Sequence, residues 1–498
     1  MKIVVLNGSP KGDASVTRQY VLYLEKKFAQ HEFVVLHVAQ QSRNLAGDAH
    51  AFRKVIEEIR SADAVIWAFP LYILLVCSQY KRFIELVFEH GVQSAFLGKH
   101  AVTLSTSINY FDYNAHVYMR SVCEDLGMRF VGTYSAAMHD LMRPNEQERL
   151  RLFAEDFLAA IERGFEFPRV TAALPKRPET AEAPLYHPVS PVRHVDTRGR
   201  KIVILSDSQP SQKSIQAMTA RLEAAWSNEE TDGGTDGIPG TGIQGTAVQV
   251  VNLHDIDIKG GCQGCLRCGA ANECVYMGKD GFIDFYKSIL VPADIIVFAG
   301  ALVARQLSWK WREFFDRSFF NCHTPSLVGK QFAFVVSGSL SLLPEFRETY
   351  EAWAELQRSN LVGFISDEAI ATGGGAAVLD AALDQLAERL IRLSEAAYIR
   401  PQTFLGVAGM KVFRDEIWST LKVVFRADHK SYKRLGFYDF PQRRIGLRML
   451  MGIAWFVTGL PGIKDKFRSM IRTRMIVPMH RAAMRAFGSI VESRSAAI

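Results

Sequence analysis

Two doubly wound α/β units in tandem, followed by a mainly helical extension, are what the 498-residue sequence predicts. Three observations carry that expectation. Short apolar runs alternate with segments of helical period, which is the pattern of a parallel sheet covered on both faces. The pattern then starts again. Lys201-Ile202-Val203-Ile204-Leu205 repeats Lys2-Ile3-Val4-Val5-Leu6, ADIIVFA (293–299) repeats ADAVIWA (62–68), and Gly329-Lys330 repeats Gly98-Lys99. The offset is 199 residues at the first strand and 231 at the later two, so the second copy carries about 32 residues more between them. Finally, a chain of this length exceeds what one ordinary core accommodates.

The elements of the first copy follow in order. KIVVL at 2–6 is a buried strand that stops at a glycine turn, and residues 16–28 have helical character. FVVLHV at 33–38 is a second strand, 52–59 a helix, 64–68 a third strand and 101–106 a fourth. Residues 130–134 make a fifth strand and 146–163 a closing helix. The proline-rich stretch beyond has no periodicity and reads as a semi-rigid linker. The resulting division is a first domain at 1–165, a linker at 166–199, a second domain at 200–398, and a basic, partly apolar extension at 399–498. The added length of the second copy has two sources. One is a glycine-rich polar segment at 227–245, and the other is a cysteine loop after its second strand.

That loop, GCQGCLRCGAANEC at 261–274, holds four of the seven cysteines: Cys262, Cys265, Cys268 and Cys274. Three thiols at two-residue gaps followed by a fourth suit an iron-sulfur cluster, here a 4Fe-4S centre. Structural zinc prefers two separated pairs, and a metal-free thiol loop also satisfies the spacing. Cys77, Cys123 and Cys322 stand alone and read as small buried hydrophobes. An odd cysteine count concentrated in one loop is not a secreted disulfide framework, and MKIVVLNGSP lacks the apolar core of a signal peptide. The expected compartment is therefore the cytoplasm.

The net charge of +7 is unevenly distributed. From Pro401 onward 18 Lys and Arg face 6 Asp and Glu, so the basic character belongs to the extension. Within it IGLRMLMGIAWFVTGLPGI (445–463) is apolar, flanked by basic residues and broken near Pro461. It is short for a membrane span. A helix docked on one of the domains fits the proline and glycine breaks, and a helix on an anionic membrane surface or an acidic partner, at the inner face of a membrane, fits the basic flanks. RADHKSYKRLGFYDFP (426–441) mixes aromatic and basic residues but matches no nucleic-acid module, so nucleic acid is not an expected partner.

A loop of hydroxyls and amides leading into a helix N-terminus is a natural phosphate cradle. In the first copy Ser9, Ser15 and Thr17 would donate and Lys11 would add charge. Pro70, Leu71 and Tyr72 end the third strand, where doubly wound sheets bind ligands, and Ser105, Thr106 and Ser107 end the fourth. A mere strand-to-helix turn explains Gly8-Ser9-Pro10-Lys11 taken alone. Together, Gly8-Ser9-Pro10-Lys11 with Ser15 and Thr17, then Pro70-Leu71-Tyr72, resemble the flavodoxin-like NAD(P)H-dependent FMN reductases. The cysteine loop and Phe315-Asp316-Arg317 resemble their relatives, the iron-sulfur flavoproteins. The resemblance spans roughly residues 1–165 and 200–395. It implies five-stranded parallel sheets, FMN at the carboxyl ends of the strands, and reduction by a nicotinamide nucleotide with a small electron acceptor or a redox protein beyond. It singles out no catalytic residue.

The second copy departs from that pattern. Asp207 replaces Gly8, Gln216 replaces Thr17, and Ala301-Leu302-Val303 replaces Pro70-Leu71-Tyr72, so it reads as a poor flavin site. The division suggests flavin in one copy and a cluster in the other, with electrons passing between them. Two other functions remain open: an electron carrier without its own substrate, and a partner- or membrane-binding scaffold with decayed redox sites. Lys81 and Lys310 read as charged stems on a solvated helix face, and Tyr110, Phe111 and Tyr113 as either a lid or core filling.

Overall fold

The computed structural model describes residues 1–175, 185–227, 248–371 and 375–460, with five isolated positions beyond. Most of the segment expected to be a polar loop at 227–245 and part of the linker lie outside the described residues.

The first copy runs β1 (Lys2–Asn7), α1 (Val16–Lys27), β2 (Glu32–Leu36), α2 (Ser42–Gly47), α3 (Ala49–Ser61), β3 (Ala64–Pro70), α4 (Ser78–Glu89), β4 (His100–Ser107), α5 (Asp112–Asp125), β5 (Arg129–Ala137) and α6 (Pro144–Glu162). Its five strands are parallel in the order β2-β1-β3-β4-β5. β1, β3 and β4 are almost wholly buried because helices cover both faces, which is why they appear in sequence as unbroken apolar runs. The helix expected at 52–59 is longer at both ends. Asp48 caps it by accepting the amides of His50 and Ala51, and the polar first turn hides this from an apolar count.

The second copy comprises β6 (Ile202–Ser206), α7 (Lys213–Trp226), β7 (Val248–Asn252), α8 (Arg267–Ala271), α9 (Phe282–Phe285), β8 (Ile295–Val303), β9 (Gln306–Leu307), α10 (Trp309–Ser318), β10 (Gln331–Ser337), α11 (Pro344–Leu356), β11 (Asn360–Ser366), α12 (Glu368–Ala371) and α13 (Ala376–Glu395). Its parallel strands take the equivalent order β7-β6-β8-β10-β11, and the two-residue β9 pairs antiparallel with β8. Both sheets thus reverse direction beside their first strand, and ligands of such sheets sit at the carboxyl ends near that reversal.

The copies pack through equivalent helices, α4 on α10 and α5 on α11. Leu74, Tyr110 and Phe111 of the first copy belong to the same buried cluster as Phe298, Trp311 and Trp353 of the second. Tyr110 and Phe111 are therefore core filling, and the Tyr110 hydroxyl donates to Leu405 O at 2.7 Å. The contact is self-complementary, as in a two-fold dimer, although one chain supplies both sides.

Residues 1–431 form one compact unit and 432–498 another. The first unit also contains α14 (Phe404–Ser419) and most of α15 (Arg426–Arg434). In the second, α16 (Ile445–Gly459) exposes Ile445, Met449, Ile453, Trp455 and Phe456. Among the described residues no helix is long and apolar enough to cross a membrane.

Candidate functional site

At the first rim, the Asn7 side chain shapes the turn after β1. Its Nδ2 donates to Gly12 O at 3.3 Å, and its Oδ1 accepts the Ser9 amide at 3.0 Å. Gly12 holds φ +56, and a Cβ there would lie 2.4 Å from Gln40 Oε1, so the turn favours glycine. Ser9 Oγ accepts the Lys11 amide, and Ser15 caps α1 by accepting the Arg18 amide at 3.1 Å. This leaves the amides of Val16 and Thr17, at the positive end of α1, without a partner among the hydrogen bonds of the described residues. Lys11, half-buried, forms no ion pair among the described residues. Gly8 lies directly on the Tyr80 ring, where a Cβ would come within 2.7–2.9 Å of three ring carbons.

The hydroxyls of this rim are buried and paired with one another. Thr17 Oγ1 and Thr106 Oγ1 are 2.6 Å apart. Ser105 Oγ bonds His116 Nε2 at 2.8 Å, and Thr103 holds the other ring nitrogen at the same distance. Burial pushes that imidazole down to about 4, so it is a neutral structural histidine. Ser107 Oγ accepts the Asn109 amide at 2.8 Å. Pro70 closes β3, and the Leu71 amide bonds Thr106 O at 3.0 Å, tying the β3 and β4 ends together. Tyr72 follows, its hydroxyl near Ser9, and burial raises its pKa first and foremost. Thr17 thus pairs with Thr106, and Ser9 lies beside Tyr72. Ser105 is committed to the layer beneath, and Ser107 to its own turn.

The cysteine loop of the second copy lies against this rim. A Cβ on Gly264 would come within 2.4 Å of the Tyr72 hydroxyl, and one on Gly261 within 2.0 Å of Ser78 Oγ. Gln79 Nε2 donates to Cys262 O at 3.2 Å. Arg317 anchors the base of the loop: it donates to Gly260 O at 3.0 Å and to both Asp280 oxygens, and it stacks on Tyr276 with 4.3 Å from guanidinium carbon to ring centre.

Within the loop Cys274 stands apart from the other three expected ligands. It packs against the core and faces Arg317 and Tyr276. The Cys268 thiol instead neighbours that of Cys322. Among the described residues no three His, Cys, Asp or Glu side chains are grouped to hold a metal ion. Cys262, Cys265, Cys268 and Cys274 do not fit a cluster in this arrangement. Cys322 is likewise no isolated hydrophobe, whereas Cys77 and Cys123 are buried as expected.

At the second rim, Asp207 occupies the place of Gly8 and Trp311 that of Tyr80. Ser308 donates to Asp207, the Trp311 indole lies beside it, and burial pushes its carboxyl up to about 6. A carboxylate and an indole thus stand where the first copy has a glycine and a phenol.

Between the rims, α4 and α10 exchange carboxylates. Glu85 Oε1 accepts the Trp309 amide at 2.7 Å, and Asp316 Oδ2 accepts the Ser78 amide at 2.6 Å, each closing the N-terminus of the opposite helix. Lys81 pairs with Glu85 at 2.7 Å and donates to Val303 O. Arg312 pairs with Asp316 at 2.6 Å and donates to Ile73 O. Lys81 is fully buried and Lys310 nearly so, against the solvated face expected for both. Lys-x3-Glu and Arg-x3-Asp at the same 231-residue offset were the sequence signal for this exchange.

Residues 1–160 match a family whose description is a flavodoxin-like fold. None of the curated proteins matches the chain by sequence. Three similar solved structures are flavoenzymes or hold flavin. An NADH:FMN oxidoreductase in its apo form has 21% identity, covers 32% of this chain and 89% of its own, and has a TM-score of 0.27. A flavoenzyme NAD(P)H:(acceptor) oxidoreductase from Paracoccus denitrificans has 21% identity, 33% and 98% coverage, and a TM-score of 0.29. A general stress protein of Treponema denticola in complex with FMN has 13% identity, 33% and 99% coverage, and a TM-score of 0.25.

Proposed function

We propose that the chain is an NAD(P)H-dependent FMN oxidoreductase with its flavin on the first rim. The observation that supports this best is the contrast between the rims. One sets Gly8, hydroxyls and a lysine beside the helix N-terminus, and the other puts Asp207 against Trp311 at the place of that glycine. FMN, when bound, supplies reversible two-electron acceptance from a nicotinamide. Ser9, Lys11, Ser15 and Thr17, with the Val16 and Thr17 amides, would hold its phosphate. Pro70, Leu71 and Tyr72 would flank the ring, and Ser105, Thr106 and Ser107 would support the rim from beneath. Tyr72 lies beside Ser9 and would share that hydroxyl with the phosphate. This donor set suits an anionic group.

Flavin content of the purified protein and steady-state NAD(P)H oxidation with a quinone or free flavin as acceptor test this reading. One flavin per chain and turnover are expected. Bound flavin without turnover would instead indicate an electron carrier between proteins, and a colourless protein would indicate a scaffold. No step is routed through an iron-sulfur cluster, because the cysteines present do not fit one.

For the extension, contact with an anionic membrane surface at the cytoplasmic face is favoured by α16, whose exposed apolar side chains follow Arg443 and Arg444. Co-sedimentation with phosphatidylserine vesicles, abolished in a chain truncated before Arg443, tests it.

A further inference from the structure

We propose that Cys268 and Cys322 are a redox-active dithiol that closes reversibly to a disulfide, clasping the cysteine loop to the turn after α10. The two thiols are near neighbours, each the leading influence on the other's proton affinity. They are brought together because α8, which carries Cys268, packs on the single 3-10 turn Phe319–Asn321 that leads into Cys322.

The backbone at Cys322 points the same way. It holds φ 52 and ψ −126, a conformation that glycine adopts freely and a residue with a Cβ avoids. At the 231-residue offset of the repeat, the first copy has Gly91 there, with φ +63 and open space around it. The second copy therefore has a cysteine at a position whose backbone suits glycine, and its side chain neighbours a thiol for which the first copy has no counterpart. Asp428 fixes the turn just beyond, accepting the His323 amide at 3.2 Å, His323 Nδ1 at 2.8 Å and the Thr324 hydroxyl at 2.6 Å. Cys322 is thus held in place behind Cys268, which is half-exposed while Cys322 is buried. That is the arrangement of an attacking thiol and a resolving one.

The chemistry closes with a low-molecular-weight disulfide as oxidant. The Cys268 sulfur attacks one sulfur of that disulfide, whose S–S bond breaks as a mixed disulfide forms, and the first small thiol leaves with a proton. The Cys322 sulfur then attacks Cys268, displacing the second small thiol with the second proton. Two electrons pass from the protein thiols to the small disulfide, and excess small thiol reverses both steps. None of this requires flavin, so the inference stands apart from the oxidoreductase reading.

Full-length protein equilibrated anaerobically in glutathione buffers of increasing oxidised fraction, then alkylated and mapped by peptide mass spectrometry, is the test. The expected result is a single cross-linked peptide pair, Cys268 with Cys322, that disappears on reduction. Cys322→Gly restores the residue of the first copy and suits the backbone. In that variant Cys268 is expected to accumulate as the glutathione mixed disulfide, with no cross-link. The proposal is overturned if both thiols stay free where exposed Cys265 is already glutathionylated. It is also overturned if Cys268 pairs with Cys262 or Cys265, or if the loop thiols resist alkylation until bound iron is removed.

Discussion

The rim beside Gly8 and the rim beside Asp207 are built on the same strand order, and two side chains separate them. In the first copy a glycine lies flat on Tyr80. In the second a carboxylate lies beside Trp311 at the same place. The difference teaches that a doubly wound sheet offers its ligand position by topology alone, while local chemistry decides whether anything enters.

The comparison breaks most visibly at the contact the copies share. Glu85→Ala removes the acceptor for Trp309 and leaves Lys81 buried without its carboxylate. A loss of about 3–5 kcal/mol in urea unfolding is expected, and Asp316→Ala should match it if the two sides are equivalent. Next comes the pH response of the second rim. The folded Asp207 carboxyl titrates near 6, above its unfolded range, so the protonated form is favoured on folding. Its contribution is present below about pH 4 and is lost as pH rises to about 6, a fall of about 3 kcal/mol that Asp207→Asn should flatten. Gly8→Asp carries the second rim into the first. Crowding against Tyr80 should cost about 1–3 kcal/mol, and FMN per chain should drop to none, whereas the wild type retains it. The smallest effect is at Tyr72. Tyr72→Phe removes the hydroxyl beside Ser9 that would compete for it with the phosphate, and should tighten FMN binding by about 0.5–1.5 kcal/mol, measured by fluorescence titration.

The strands and the duplication were readable because buried parallel strands leave unbroken apolar runs, and KIVVL/KIVIL and ADAVIWA/ADIIVFA leave them twice. The rim segments were readable as an ordered set of loops. Their internal pairing was not, since Thr17 meeting Thr106 and Ser105 meeting His116 depend on strand register across the sheet. Lys81 looked solvated because the surface covering it lies more than two hundred residues away. Cys322 looked isolated because its partner is on a different loop. It stood out only when set against Gly91, a comparison the repeat allowed from the sequence. The α16 segment was harder to read, because an apolar run looks buried in sequence whatever its side chains meet, and here Ile445, Met449 and Trp455 are exposed.

The exchange of carboxylates between α4 and α10 has one more consequence. In an assembly of identical subunits any substitution is made twice, so neither half can drift without dragging the other along. Joining both halves in a single polypeptide lifts that restriction: the shared seam stays constant while Gly8 and Asp207, or Gly91 and Cys322, take separate paths.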